Sequence, residues 1–162
     1  MTAELDNYID FVKQIERQAL EVLEGLPPEA LNWRPLPDGA GTDAHATSSM
    51  AVLAAHLAGS VRHWIGEIAG GRPAHRDRDA EFRAESSEAG ELAARVSEAA
   101  EFSRAVLAKL PPQFLDEMVE RNNVPVSRRH AVVHALTHAS IHVGQMQITR
   151  QLWEAGRSKP SG

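Results

Sequence analysis

Apolar residues recur every three or four positions through the first half of the chain, which is the spacing of one face of a helix. This pattern predicts a first helix over residues 3–25, which the prolines at 27–28 end. A second helix is predicted to begin at a capping residue within 47–49, Thr-Ser-Ser, and to run to about Ala69. Two glycines follow Ala69 and stop this helix.

The second half of the chain repeats the helical pattern twice. A third helix is predicted to begin at the serine pair 86–87 and to end at the proline pair 111–112. A fourth is predicted to begin at the capping residue Ser127, to run through Trp153 and to be closed by Gly156. The chain therefore carries four long amphipathic helices.

No run of alternating residues gives a convincing strand, and the segment NNVPVS is expected to be a short turn that could include an extended piece. Long helices without strands pack best as a bundle, so the predicted fold is all-α, a four-helix bundle. The long connections over about 27–46 and 70–86 leave room for a crossover topology. We expect a single domain over 1–162, with a frayed tail from about residue 157.

Composition narrows the functional classes. The chain has 162 residues and a formal net charge of −5, which argues against a nucleic-acid surface. It has no cysteine, which removes disulfides, thiolate metal ligands and a cysteine nucleophile. No basic segment followed by an apolar run opens the sequence, so we expect no signal peptide, and no apolar stretch approaches the ~20 residues of a membrane span. We therefore expect a cytoplasmic protein that binds a small molecule, neither nucleic acid nor membrane.

Histidine is overrepresented, with eight residues of which four lie between His130 and His142. His138 and His142 are four positions apart on the predicted fourth helix, so both point to the same side. This spacing is the usual way for one helix to offer two imidazoles to one metal ion. The same face is expected to point to the core, because it also carries Ile141, Gln145, Ile148 and Leu152.

The predicted second helix carries a polar stripe bordered by apolar residues, formed by His56, Ser60, His63 and Glu67. Burying such groups without partners would cost several kcal/mol. A divalent metal ion between two facing helices would supply a partner, and bundle metal sites are built in this way. We predict that His56, His138 and His142 bind the metal. Three neutral imidazoles leave room for water or substrate, as in catalytic sites.

Other polar residues have a functional and a plain structural interpretation. His63 and Glu67 are candidate catalytic residues, but Glu67 could equally form an ion pair with Arg62 or another cation. The three predicted ligands could instead be core histidines bonded to buried carbonyls. His134 is a candidate pocket residue, and Gly144 is expected to permit close helix approach. The run RDRDAEF is expected to be a solvated charged segment.

Two segments together resemble a known family. The segment HALTHASIHVGQMQITRQLW closely resembles the last-helix motif of the DinB-like superfamily, and SSMAVLAAHLAGSVRHWI looks like its second-helix motif, with LNWRP before it. The resemblance implies a DinB-like crossover bundle. It implies that His56 is the ligand of the second helix, and that His138 and His142 are the pair of the fourth. One position departs from the family, since a basic residue often stands where this chain has Val143.

The resemblance also implies zinc, nickel or iron as the cofactor and a homodimer as the assembly. Its activities include metal-dependent transfer of low-molecular-weight thiols such as mycothiol, bacillithiol or glutathione. Because this chain has no cysteine, such a thiol cosubstrate would come from outside. Two alternatives stay open: a metal-dependent hydrolase with Glu67 or His63 as proton carrier, and a non-enzymatic metal-binding stress protein. Sequence does not select the metal, because three-histidine sites accept several divalent ions.

Overall fold

The computed structural model of the protein describes residues 2–36, 48–121 and 123–157, and four long helices dominate this part of the chain. The long helices are α1 (Ala3–Leu23), α3 (Met50–Val61, which continues as a π-helical segment over Arg62–Ala69), α5 (Ala89–Lys109) and α6 (Arg128–Arg157). The short elements are α2 (Pro28–Asn32), α4 (Arg78–Phe82), a 3₁₀ helix (Pro112–Asp116), β1 (Met118–Arg121) and β2 (Val124–Ser127). The all-α prediction is confirmed.

The four long helices form a bundle with crossover connections. Both α1 and α3 pack against α5 and α6, so α1 and α3 lie on one diagonal and α5 and α6 on the other. The chain therefore crosses the bundle between α1 and α3 and again between α5 and α6. The predicted long connection at 70–86 instead joins the neighbouring helices α3 and α5. The crossover topology agrees with the prediction. The segment NNVPVS, expected to be a short turn, belongs to the connection that crosses the bundle from α5 to α6.

That crossing contains a β-hairpin, of which sequence patterning indicated only an extended piece within NNVPVS. In it β1 and β2 pair antiparallel, from Met118 opposite Ser127 to Arg121 opposite Val124. Each strand has four residues, which is too short for an alternating pattern to stand out. Arg128 Nη1, at the start of α6, donates to the carbonyl oxygen of Ala69 at 2.6 Å. This bond ties the end of the hairpin to the end of the π-helical segment.

The predicted helix ends are partly correct. The Oγ of Ser49 accepts the N–H of Val52, and the Oγ of Ser127 accepts the N–H of His130, so both serines cap their helices. Thr47 lies outside the described residues. Ser86 does not cap α5; its hydroxyl donates to Glu91 Oε2 at 3.0 Å instead. Gly156 does not end α6, which continues through Arg157.

The core lies along the bundle axis, where each long helix buries its apolar face. The fully buried large side chains include Leu5, Leu23, Ile65, Val96, Leu107, Val132 and Met146. Within the described parts of the chain, no helix is both long enough and apolar enough to cross a lipid bilayer. The helices α3 and α6 face each other across this core, and the histidines lie between them.

Candidate metal centre

Three imidazoles meet where α3 faces α6. His138 Nε2 lies 3.2 Å from His56 Nε2 and 3.1 Å from His142 Nε2. The nitrogens that each residue offers all lie within 4.8 Å of one another. The structure thus brings together the three histidines that the sequence singled out.

Each helix contributes to this group through its own geometry. On α6, the spacing of four residues places His138 and His142 one turn apart on one side, with ring planes at 83°. On α3, His56 points inward and stands at 89° to the ring of His142. His56 and His142 are buried, whereas His138 is half-buried. Solvent can therefore reach the group through His138, whereas the other two imidazoles are shielded from it.

Burial keeps the accessible histidine neutral. The pKa of His138 is lowered to about 3 by burial, and further by the neighbouring imidazoles of His142 and His56. Burial also lowers the pKa of His134, with help from His130 and Arg121. Metal ligation requires neutral imidazole, so His138 is ready to bind a cation at neutral pH.

The donor set fits a divalent cation. A hydrogen bond between two imidazole nitrogens needs a proton on one and a lone pair on the other. His138 Nε2 carries at most one proton, so it can donate to only one of the two Nε2 atoms that it faces. In a tetrahedral site with metal–nitrogen distances of about 2.0–2.1 Å, two nitrogens stand about 3.3–3.4 Å apart. The observed 3.1 and 3.2 Å are close to this spacing. His56, His138 and His142 could therefore hold a metal ion.

Two polar residues, Gln145 on α6 and Ser60 on α3, follow the histidines by one helical turn. His142 Nδ1 lies 2.7 Å from Gln145 Oε1, which is an acceptor, so the Nδ1–H of His142 donates to it and Nε2 keeps its lone pair. Ser60 lies one turn beyond His56 on α3 and is 1% exposed. Among the described residues its Oγ has no hydrogen-bond partner. A buried hydroxyl of this kind is available to a bound group.

The structure does not bring His63 and Glu67 into the histidine group. Both lie on the π-helical segment, where His63 Nδ1 is 3.0 Å from Glu67 Oε2. The side chain of His63 is 20% exposed and that of Glu67 is 45% exposed. His63 and Glu67 lie seven and eleven residues beyond His56, which is about 10 and 16 Å along a helix axis at 1.5 Å per residue. The predicted Glu67–Arg62 ion pair is replaced by this pair, and a catalytic role for either residue stays a prediction.

Sequence reasoning missed Glu81 and Arg76, which lie in the charged run that was expected to be solvated. That expectation is wrong for Glu81, which is 1% exposed and lies 2.9 Å from His56 Nδ1. Burial by itself would raise the pKa of Glu81, but hydrogen bonds from Arg76 and His56 outweigh it and lower the pKa overall. The five residues of α4 are too few for periodicity to show which side chain points inward.

The face of α6 that carries the histidines is not wholly directed to the core. Ile141 and Ile148 are each 55% exposed and Leu152 is 48% exposed, so the expectation of burial was wrong for them. They line an apolar groove of about 670 Å³ together with Gly144 and Gln145. A Cβ on Gly144 would meet nothing within 4 Å, so this glycine does not serve close helix packing. The groove begins beside His142, because Gln145 is bonded to it.

The other two histidines of α6 continue the row toward the helix start. The rings of His134 and His138 stack with centroids 5.6 Å apart, and those of His130 and His134 with centroids 6.2 Å apart. Trp64 covers His134 at 4.0 Å between centroids. His134 is thus a neighbour of the histidine group but lies outside it, and a pocket role for it stays a prediction.

Fold and site together define a helical-bundle protein with a candidate metal centre of three histidines. The chain belongs to the DinB superfamily, whose family model matches residues 12–146. A conserved protein from Enterococcus faecalis is similar in structure, with a TM-score of 0.70 and 18% identity over 94% of this chain and 97% of the other. A DinB-like protein from Bacillus subtilis has a TM-score of 0.63 and 17% identity over 93% and 92%. Comparison with curated proteins gives no match.

Proposed function

We propose that this protein is a metal-dependent enzyme that transfers an external low-molecular-weight thiol to a small apolar electrophile. The observation that carries the proposal is the convergence of His56 Nε2 and His142 Nε2 on His138 Nε2, beside an apolar groove. A site with three protein nitrogens keeps room for a further ligand. The chain has no cysteine, so the nucleophilic sulfur must come from a cosubstrate.

A divalent ion held by these histidines supplies Lewis-acid chemistry, because it lowers the pKa of a thiol or water that it contacts. The protein itself contributes neutral imidazoles. His138 and His134 remain neutral through burial, so they add no positive charge that would repel the cation. In the reaction, the sulfur–carbon bond forms as the bond from carbon to its leaving group breaks. The thiol proton and the leaving group pass to solvent.

The groove beside His142 fits the apolar body of the electrophile. It is lined mainly by aliphatic side chains, including Leu36, Leu53 and Ile148. Its volume of about 670 Å³ lies within the range of ~300–1,000 Å³ typical of small-molecule sites. Gln145 lines the groove and lies 2.7 Å from His142, so a molecule in the groove would lie next to a residue that contacts the histidine group.

The activity is tested with zinc-, nickel- or iron-loaded protein, chlorobimane as the electrophile, and mycothiol, bacillithiol or glutathione as the thiol. We expect metal-dependent formation of the fluorescent thioether with at least one thiol, and loss of this activity in His138→Ala. His134→Ala is the matched control, because it removes the next imidazole along α6 but not a member of the group. The absence of a metal-dependent rate with all three thiols would exclude thiol transfer. Turnover of ester, amide or phosphoester substrates without thiol would favour the hydrolase instead.

The groove is tested separately by filling it. Gly144→Met adds a side chain where a Cβ meets no atom within 4 Å, so the bundle has room for the change. We expect a higher KM for the bulky electrophile and unchanged zinc affinity. Gly156→Met, also without a contact within 4 Å, controls for the general effect of replacing a helical glycine. An unchanged KM in Gly144→Met would place the electrophile elsewhere.

A further inference from the structure

The segment between α3 and α5 places one carboxylate against the histidine group. The Oε2 of Glu81, on α4, lies 2.9 Å from His56 Nδ1. Arg76 donates to both carboxylate oxygens, from Nε to Oε1 and from Nη2 to Oε2, each at 2.7 Å. The carboxylate therefore faces the ring nitrogen of His56 that is opposite the one facing His138.

The space for this carboxylate exists because residue 59 has no side chain. A Cβ on Gly59 would lie only 1.8 Å from Glu81 Oε1. Gly59 is inside α3, where glycine is about 1 kcal/mol less favourable than alanine. At Gly90, by contrast, a Cβ would meet nothing within 4 Å. The helix thus carries an unfavourable residue at the point where Glu81 approaches.

Stability alone does not explain the arrangement. A buried ion pair contributes little to folding once the desolvation of both charges is counted. The carboxylate has a definite effect on the imidazole, however. It accepts the Nδ1–H of His56, so the proton stays on Nδ1 and Nε2 keeps its lone pair toward His138, 3.2 Å away. Phe82 packs against the same ring with centroids 4.8 Å apart and limits its rotation.

We propose that Glu81 is a positioning residue of the metal centre, which holds His56 in the tautomer that presents Nε2 to the ion. Arg76 and Gly59 serve to place its carboxylate. This inference rests on the proposed metal site, and partners that hold the second nitrogen of a ligating histidine typically change metal affinity 10- to 100-fold. The segment between α3 and α5 then contributes to the metal centre, because it carries both Glu81 and Arg76.

Two variants disturb the carboxylate in different ways. Glu81→Gln removes its charge, whereas Gly59→Ala keeps the charge and displaces the group. Gly90→Ala is the control for a glycine replacement in a helix. For each protein we would measure zinc affinity by competition with a chromogenic chelator, and helicity by circular dichroism. We would also determine the His56 tautomer in the metal-free protein from long-range proton–nitrogen NMR correlations.

We expect the wild-type His56 ring to carry its proton on Nδ1, and Gly59→Ala to lose that preference because the carboxylate is displaced. Glu81→Gln should weaken the preference, because an amide can accept the Nδ1–H but can also donate to Nδ1. Zinc affinity should fall about 10- to 100-fold in both, with helicity retained, while Gly90→Ala matches wild type. Wild-type zinc affinity in Glu81→Gln and Gly59→Ala would overturn the proposal. A wild-type ring protonated on Nε2 would overturn it as well. If the wild-type protein binds no divalent ion, the metal site itself fails, and the tautomer still decides whether Glu81 orients His56.

Discussion

Removing one imidazole from the histidine group should abolish the stabilisation that a bound metal provides. His138 is the member to replace, because it is half-buried and its loss leaves a smaller cavity than loss of His56 or His142. An ion held between α3 and α6 binds the folded state only, so it stabilises the protein by mass action. The variant His138→Ala therefore separates metal linkage from general damage to the bundle.

The expected increase in Tm on zinc binding follows from the linkage between ligand binding and folding. Free zinc at 100 times its Kd raises the free energy of unfolding by about 2.7 kcal/mol. For a chain of this length each kcal/mol shifts the Tm by about 2–4 °C, so wild type should gain about 5–11 °C. If the variant binds 100-fold more weakly, the same zinc concentration adds about 0.4 kcal/mol. That corresponds to a shift of about 1–2 °C.

The assay is differential scanning calorimetry at buffered free zinc, with a chelator as the metal-free reference. His134→Ala is the matched control, because its ring stacks on His138 at 5.6 Å but lies outside the histidine group. It should keep the full zinc-induced shift. A full shift in His138→Ala, or an equal loss in His134→Ala, would refute a centre formed by the three predicted ligands.

Three further predictions concern the metal-free protein. Its free energy of unfolding should fall as the pH drops from 6.5 toward 3, because the unfolded chain protonates His138 near 6.5 while the folded chain resists protonation down to about 3. The free energy of unfolding should change by at most about 1.4 kcal/mol per pH unit, and by less than this because the ring is half-exposed to solvent. Urea unfolding of His138→Asn at several pH values is the test, and the same pH dependence as in wild type would contradict the prediction. Leu107→Ala, at a fully buried site, should cost about 2–5 kcal/mol in denaturant unfolding, against less than about 1 kcal/mol for the exposed Val133→Ala; equal losses would place Leu107 outside the core. Light scattering should give a homodimer of twice 17.7 kDa that covers exposed apolar side chains such as Met118, and a monomer mass at all concentrations would contradict it.

Local periodicity was enough to predict most of the helices. Apolar spacing, prolines and serine caps depend on neighbouring residues only, so α1, α3 and α6 could be placed with errors of a few residues at their ends. The pairing of His138 with His142 is equally local, since a separation of four residues on a helix fixes their common side. The addition of His56 depended on a second polar stripe and on resemblance to a family.

Tertiary structure decided what no local pattern encodes. Sequence could not show which connections cross the bundle, because that depends on which long helices become neighbours. Nor could it show that α3 continues as a π-helical segment, on which His63 and Glu67 pair with each other outside the histidine group. Glu81 lies in a run of charges that is typical of a surface, and it is buried only because Gly59 leaves it space and Arg76 and His56 supply hydrogen bonds. The sequence alone thus determined the helices and the histidine pair, while packing between distant segments determined the surroundings that orient the site.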